Sequence, residues 1–204
     1  MQPGTGPPQL QVTRLSGGYL RKPVFRDVSF QLFPGELVAI VGENGAGKST
    51  LLRTLVGLRR PTSGTIQLRG SLGYCPQEPT LFELLTVREN FRLHGAAYGL
   101  KEWEAVMDRW LDRLEFRDYR DVLVAQLSGG TRQKLNLSIA LMHAPSVLVL
   151  DEPYSAFDWH TYLRSWEILD EMRGAGCAVL VVSHFVFDFS RFDRVLGLHG
   201  GELS

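Results

Sequence analysis

LVAIVGENGAGKST, Leu37 to Thr50, decides how the rest of the chain is to be read. Leu37–Val41 is apolar at every position, as a strand covered on both faces requires. Gly42, Gly47, Lys48 and Ser49 follow at the spacing G-x-x-x-x-G-K-[ST]. Glycines let the backbone curl so that successive N–H groups point at phosphate oxygens, which a Cβ would obstruct. A helix expected over Ser49–Gly57 aims its positive end at the same place. Lys48 can neutralise β- and γ-phosphates, and the Ser49 hydroxyl can hold Mg²⁺. Gly42, Glu43, Asn44, Gly45, Ala46, Gly47, Lys48, Ser49 and Thr50 are therefore the candidate nucleotide-binding residues.

Outward from this loop, short β-branched runs alternate with segments of helical period, the pattern of an α/β domain around a partly parallel sheet. Strands are expected at Gln9–Leu15, Val28–Phe33, Leu37–Val41, Gly64–Arg69, Ser146–Leu150, Ala178–Val182 and Arg194–Leu198. SVLVLDEP (146–153) delivers Asp151 and Glu152 at the C-terminal end of an apolar strand, where ligands sit in open α/β sheets. Asp151 is placed to orient a Mg²⁺ shell, and Glu152 to accept a proton from an attacking water. Such a pair is often only a helix cap; the phosphate loop upstream is what gives it weight.

The tetrapeptide LSGG occurs twice, at 15–18 and 127–130. The second copy, LSGGTRQKLNLSIALMHAP, opens a helix whose apolar residues recur as Leu135, Ile139 and Met142. Ser128, Gly129 and Gly130 then form another helix N-terminus with exposed donors, a second phosphate-binding surface. The first copy precedes no helix. Gly17 and Gly18 are expected in a turn after a strand, so that copy is coincidence as a motif. Tyr19, beside it, reads either as a base-stacking ring or as an ordinary turn tyrosine.

Between Gln77 and Ser128 the character changes. Trp103, Val106, Met107, Trp110, Leu111 and Leu114 fall at helical spacing with charges between them, so a helical insertion with a core-packing stripe is expected. Leu81, Phe82, Leu84 and Leu85 read either as core or as a groove for a partner's helix. Cys75 and Cys177 read as small buried hydrophobes, and no Cys/His cluster has zinc spacing. His94, His143, His160 and His199 match no motif. The 22 basic and 22 acidic residues cancel, which points away from nucleic acid. No apolar run reaches the length of a membrane span, and the Pro/Gly-rich start lacks the layout of a secretion signal.

GENGAGKST, YCPQEP, LSGGTRQKL, VLVLDEP, SAFD and VVSHF, in this order, resemble the nucleotide-binding subunit of ATP-binding cassette (ABC) transporters, over about Gln9–Leu203. The resemblance implies a phosphate-loop NTPase fold: α/β, with a mixed, largely parallel central sheet, an N-terminal antiparallel β-subdomain and a helical insertion carrying the signature. It implies one ATPase domain over 9–204 after a frayed tail at 1–8, with the helical subdomain at about 78–130. Tyr19 resembles the adenine-stacking aromatic. Gln77 resembles the glutamine that meets Mg²⁺ and the attacking water. Leu127, Ser128, Gly129 and Gly130 resemble the signature that contacts a γ-phosphate in the opposite subunit. Asp158 resembles the aspartate of the loop between subunits, and His184 the histidine at the γ-phosphate.

ATP and Mg²⁺ are the implied cofactors. The implied partners are an integral membrane permease and a second ATPase subunit, identical or related, with the chain on the cytoplasmic face of the membrane. Two departures stand out: Thr131 where the family often has glutamine, and Phe157 in SAFD where it has leucine. LSGGTRQKL resembles export-type signatures, and a C-terminal regulatory domain of the importer kind is not expected after HGGEL. The rival readings are a soluble ATPase of the same superfamily, a nucleotide sensor without hydrolysis, and a plain phosphate-loop kinase.

Overall fold

Alternating burial along the N-terminal strands gives the first sheet its sidedness. The computed structural model describes residues 6–19, 22–154, 156–183 and 188–204. Strand β1 (Leu10–Tyr19) buries Leu10, Val12 and Leu15, and β2 (Lys22–Leu32) buries Phe25, Val28, Phe30 and Leu32. Both pair antiparallel with their neighbours, and β4 (Ser63–Leu68) closes the order β2-β1-β4. This is the antiparallel subdomain the resemblance implies.

Gly17 and Gly18 are a correction to the sequence reading: they lie inside β1, not in a turn after it. The β1–β2 register shifts around them. A Cβ on Gly17 would sit 2.7 Å from the Phe25 ring, and one on Gly18 would sit 2.1 Å from the Lys22 carbonyl oxygen. The glycines permit a close strand approach, the use a strand interior makes of them. Strand β2 also starts six residues before the expected Val28. Pro23 and the charged Arg26 and Asp27 hid it, and an edge strand tolerates all three.

The second sheet has the order β5-β6-β7-β3-β8-β9. Its centre is β3 (Leu37–Val41), parallel to both β7 (Ala178–Ser183) and β8 (Arg194–His199). β6 (Val147–Asp151) runs parallel to β7 on the far side. β5 (Leu72–Cys75) and the short antiparallel β9 (Glu202–Leu203) were not anticipated. Leu37–Ile40, Val147–Leu150 and Ala178–Leu180 are buried, as central strands covered on both faces must be. Val41 pairs with Ser183 and Asp151 with Val182, so β3 and β6 end at the same edge. At one strand spacing per step, their tips stand about 10 Å apart.

The chain divides into two compact units. The first, Met1–Tyr74 with Ser146–Glu152 and Glu171–Ser204, carries β1–β4, β6–β9 and α1 (Lys48–Leu55). The second, Cys75–Pro145 with Pro153–Asp170, carries α2 (Val87–Ala97), α3 (Trp103–Arg113), α4 (Gly129–Leu141) and most of α5 (Trp159–Gly174).

Helix α2 starts in a full capping box: the Thr86 side chain accepts from the Glu89 N–H, and the Glu89 carboxylate accepts from the Thr86 N–H. In α3, Met107, Trp110 and Leu111 are buried, with Leu114 just beyond it, so the aromatic stripe is core. Leu135, Ile139 and Met142 are likewise buried.

Candidate functional site

In the first unit, Gly42–Gly47 leaves β3 and turns into α1. Gly45 (φ 85°) and Gly47 (φ 103°) occupy the left-handed region that side chains avoid. A Cβ on Gly42 would lie 2.4 Å from the Leu198 carbonyl oxygen. The loop is thus fixed by glycine where a side chain could not fit. Helix α1 begins at Lys48, and its N-cap, Gly47, provides no side-chain cap. Its first-turn N–H groups remain for an anion. The helix is shorter than the expected Ser49–Gly57, because Gly57 (φ 79°) lies past its end.

Lys48 is only 8% exposed. Its Nζ donates to the carbonyls of Gly42 (2.6 Å) and Glu43 (3.0 Å), so the ammonium is stretched across the loop. Glu43, Asn44, Gly45 and Ser49 are exposed, while Ala46 and Gly47 are half-buried. Thr50 is buried, and its carbonyl accepts the Thr54 hydroxyl at 2.8 Å.

Asp151 ends β6 at 7% exposure. Its carboxyl is pushed up to about 6, first by loss of water and then by the neighbouring Glu152 charge; Arg53 and Lys48 pull the other way. A buried carboxylate held this far from its ordinary range is short of positive charge. Glu152 adopts φ 45°, which is uncommon for a residue with a side chain. Its N–H donates to the Val182 carbonyl at 2.9 Å, so β7 fixes the kink. Backbone strain of this kind, costing of order 1–3 kcal/mol, persists where surrounding structure imposes it and clusters at functional sites.

In the second unit, Ser128 is the N-cap of α4. Its Oγ accepts the Thr131 N–H at 3.2 Å and lies 2.9 Å from the Thr131 hydroxyl. The Thr131 departure therefore supplies a local partner for Ser128. Leu127 is buried and anchors the turn, whereas Ser128 and Gly129 are exposed. A Cβ on Gly129 would meet nothing within 4 Å, so the start of α4 faces open space.

Asp158 occupies the equivalent position before α5. Its Oδ1 accepts the Thr161 N–H at 2.7 Å, and that bond, joined by one from the Thr161 side chain, holds its carboxyl below the usual range. Gln77 is exposed, just past β5.

Sequence reasoning missed a polar network on α4. Asn136 Nδ2 donates to the Pro76 carbonyl (2.8 Å), and Gln133 Nε2 donates to the Pro153 carbonyl (3.2 Å). Helix α4 thus holds the backbone of Pro76, next to Gln77, and that of Pro153. Their only trace in the sequence is two amides among the apolar residues of a helix. Phe82 (51% exposed) and Leu84 (86%) are not core; Asn90, fully buried, holds their loop through the Phe82 N–H (3.0 Å) and carbonyl (3.1 Å). Tyr19 stands 46% exposed at the end of β1. His184 lies outside the described residues.

Cys75 and Cys177 are buried, and burial pushes the Cys177 thiol up to about 12. No helix among the described residues is long and apolar enough to cross a membrane.

Residues 25–155 match the family described as ABC transporter. The chain is 35% identical to the ABC-type transporter ATP-binding protein EcsA of Bacillus subtilis (strain 168), over 95% of this chain and 85% of that protein. It is 35% identical to the Nod factor export ATP-binding protein I of Sinorhizobium fredii, over 94% of this chain and 60% of that one. Among solved structures it is similar to an ATP-binding subunit of an ABC transporter, with a TM-score of 0.91 and 32% identity over 96% of this chain and 88% of that one.

Proposed function

The chain belongs to the ABC transporter family, and we propose that it is the ATP-hydrolysing subunit that drives a separate membrane permease, most plainly in the export direction. The observation that carries this reading is the loop at Gly42–Gly47, with Lys48 stretched across it and a helix behind it that has no side-chain cap. Similarity to a Nod factor export protein supports the direction.

Two such subunits, identical or related, work as a head-to-tail pair. ATP lies on the loop of one, and the exposed start of α4 of the other closes over the γ-phosphate, because helix N-terminal donors are suited to that charge. Phosphoryl transfer needs positioning and charge neutralisation more than covalent help. Lys48 leaves its carbonyl partners for the β- and γ-phosphates. Glu152 takes a proton from the attacking water. Gln77 and His184 act on the water and γ-phosphate by the family resemblance, Asp158 serves the pair's contact, and Tyr19 stacks on the base. The readout is the ATPase rate against protein concentration. It rises steeply as the pair forms; full hydrolysis by a strictly monomeric sample contradicts the pair.

Mg²⁺ fits the acidic end of the site. Asp151 is buried and short of positive charge, and Mg²⁺ is commonly held by one or two carboxylates together with phosphate oxygens. Ser49 and Asp151 would hold it, with Gln77 added by the family resemblance, and it would supply charge neutralisation for the triphosphate. The pH consequence follows from the direction of the Asp151 shift. Its carboxyl carries a proton below about 6 and must lose it to hold a cation. Binding of Mg²⁺ and ATP therefore releases a proton near pH 6 and weakens below it. Calorimetry in two buffers of different ionisation enthalpy shows this, and Asp151→Asn removes the Asp151 share of it.

Phe82 and Leu84 give the permease an apolar foothold. Phe82→Glu uncouples transport from ATP use in the reconstituted transporter while the isolated chain keeps about its normal ATPase rate. Loss of both activities contradicts the foothold, because it marks a residue needed by the fold itself.

A further inference from the structure

A cation covers one face of the exposed ring at the end of β1. The Arg59 guanidinium carbon lies 3.7 Å from the Tyr19 ring centroid. Its Nη2 donates to the carbonyl of Gly18, the residue before that ring. Its Nε is buried and has no hydrogen-bond partner among the described residues. A buried donor without a partner is costly, so this arrangement persists because the ring and the Gly18 carbonyl together hold the guanidinium. The Arg59 N–H donates to the Arg53 carbonyl at 2.9 Å, which fastens the arginine to α1, the helix that starts at the phosphate loop.

A planar ring has two faces. Arg59 takes one, yet Tyr19 keeps 46% of its surface open. A lone tyrosine at a strand end turns between rotamers, and a ligand that stacks on it must first still it. Arg59 has already done so, by cation–π contact and by the Gly18 bond.

We propose that Arg59 is a positioning residue for the purine base: it backs one face of Tyr19 and holds the ring so that the base stacks on the other. The inference rests on the reading of Tyr19 as the base-stacking residue. It adds that α1 sets the base platform as well as the phosphate loop, through a residue that never touches the nucleotide.

The test uses two ligands that share phosphates but not a base: Mg²⁺ with ATP, and Mg²⁺ with inorganic tripolyphosphate. Both are titrated against the full chain, its Arg59→Ala variant and its Tyr19→Ala variant. Stacking on an aromatic is worth enough that Tyr19→Ala weakens ATP about 10-fold or more. Losing the restraint on the ring weakens ATP about 3- to 10-fold in Arg59→Ala. Tripolyphosphate binds all three chains equally, and at saturating ATP the Arg59→Ala kcat matches the unaltered chain while KM rises. If Arg59→Ala binds ATP as tightly as the unaltered chain, or more tightly, while Tyr19→Ala is impaired, the inference fails and the base platform stands. If neither variant shifts ATP, both fall. Equal losses for ATP and tripolyphosphate in Arg59→Ala also overturn it, because they place the arginine's effect in the phosphate loop.

Discussion

Glu152→Gln lowers ATP turnover by about 10²- to 10⁴-fold while ATP still binds. Glutamine keeps the size of the side chain and removes its ability to take a proton from water. The loss amounts to roughly 3–5 kcal/mol of barrier. The backbone around the position explains why binding survives. Glu152 is held at φ 45° by the bond from its N–H to the Val182 carbonyl, and neither depends on the carboxylate. Its negative charge also faces Asp151 and helps push that carboxyl up to about 6, so the glutamine variant relieves a repulsion. ATP-loaded pairs therefore accumulate, visible by sedimentation as a dimer that forms only with nucleotide. Near-normal turnover by this variant removes Glu152 from the mechanism.

Lys48→Ala acts on the other half of the reaction and weakens ATP itself. Truncating one member of a buried, hydrogen-bonded charge pair costs about 2–5 kcal/mol, or about 30- to several-thousand-fold in affinity. The ammonium is buried, and the Gly42 and Glu43 carbonyls hold it. It arrives at the phosphates desolvated and oriented, which is why its loss is felt strongly. The fold does not need it: β3 and the first sheet bury Leu37–Ile40, Leu10, Val12 and Leu15 independently of the loop. Titration with a fluorescent ATP analogue measures the affinity, and an unchanged unfolding midpoint shows that the loss belongs to the site.

The parts of the molecule legible in the sequence are those whose causes are local. Gly42–Ser49 encodes its turn, its donors and its lysine within a few residues, and the structure places them on the expected strand–loop–helix. The stripe from Met107 to Leu114 is legible because helical period is a local signal. Gly17 and Gly18 misled because two glycines read as punctuation, whereas their reason lies across the sheet, in the Phe25 ring and the Lys22 carbonyl. The start of β2 was hidden by polar residues that only an edge strand accepts. Asn136 and Gln133 reach Pro76 and Pro153, 60 and 20 residues away, and no spacing rule sees such bonds. Arg59 is the same case. Its partner at Gly18 is 41 residues distant, and nothing in the string RRPTSG announces a ring behind it. The core reading of Phe82 and Leu84 fails on their exposure, on a loop that Asn90 clamps through Phe82.

One structure decides whether two chains share each nucleotide: that of Glu152→Gln, trapped with ATP and Mg²⁺. It should show the Ser128 hydroxyl and the first N–H groups of α4 within about 3 Å of γ-phosphate oxygens, on a triphosphate gripped by the partner's Lys48. Ser128 turned to bulk water, with the triphosphate enclosed by a single chain, would contradict it.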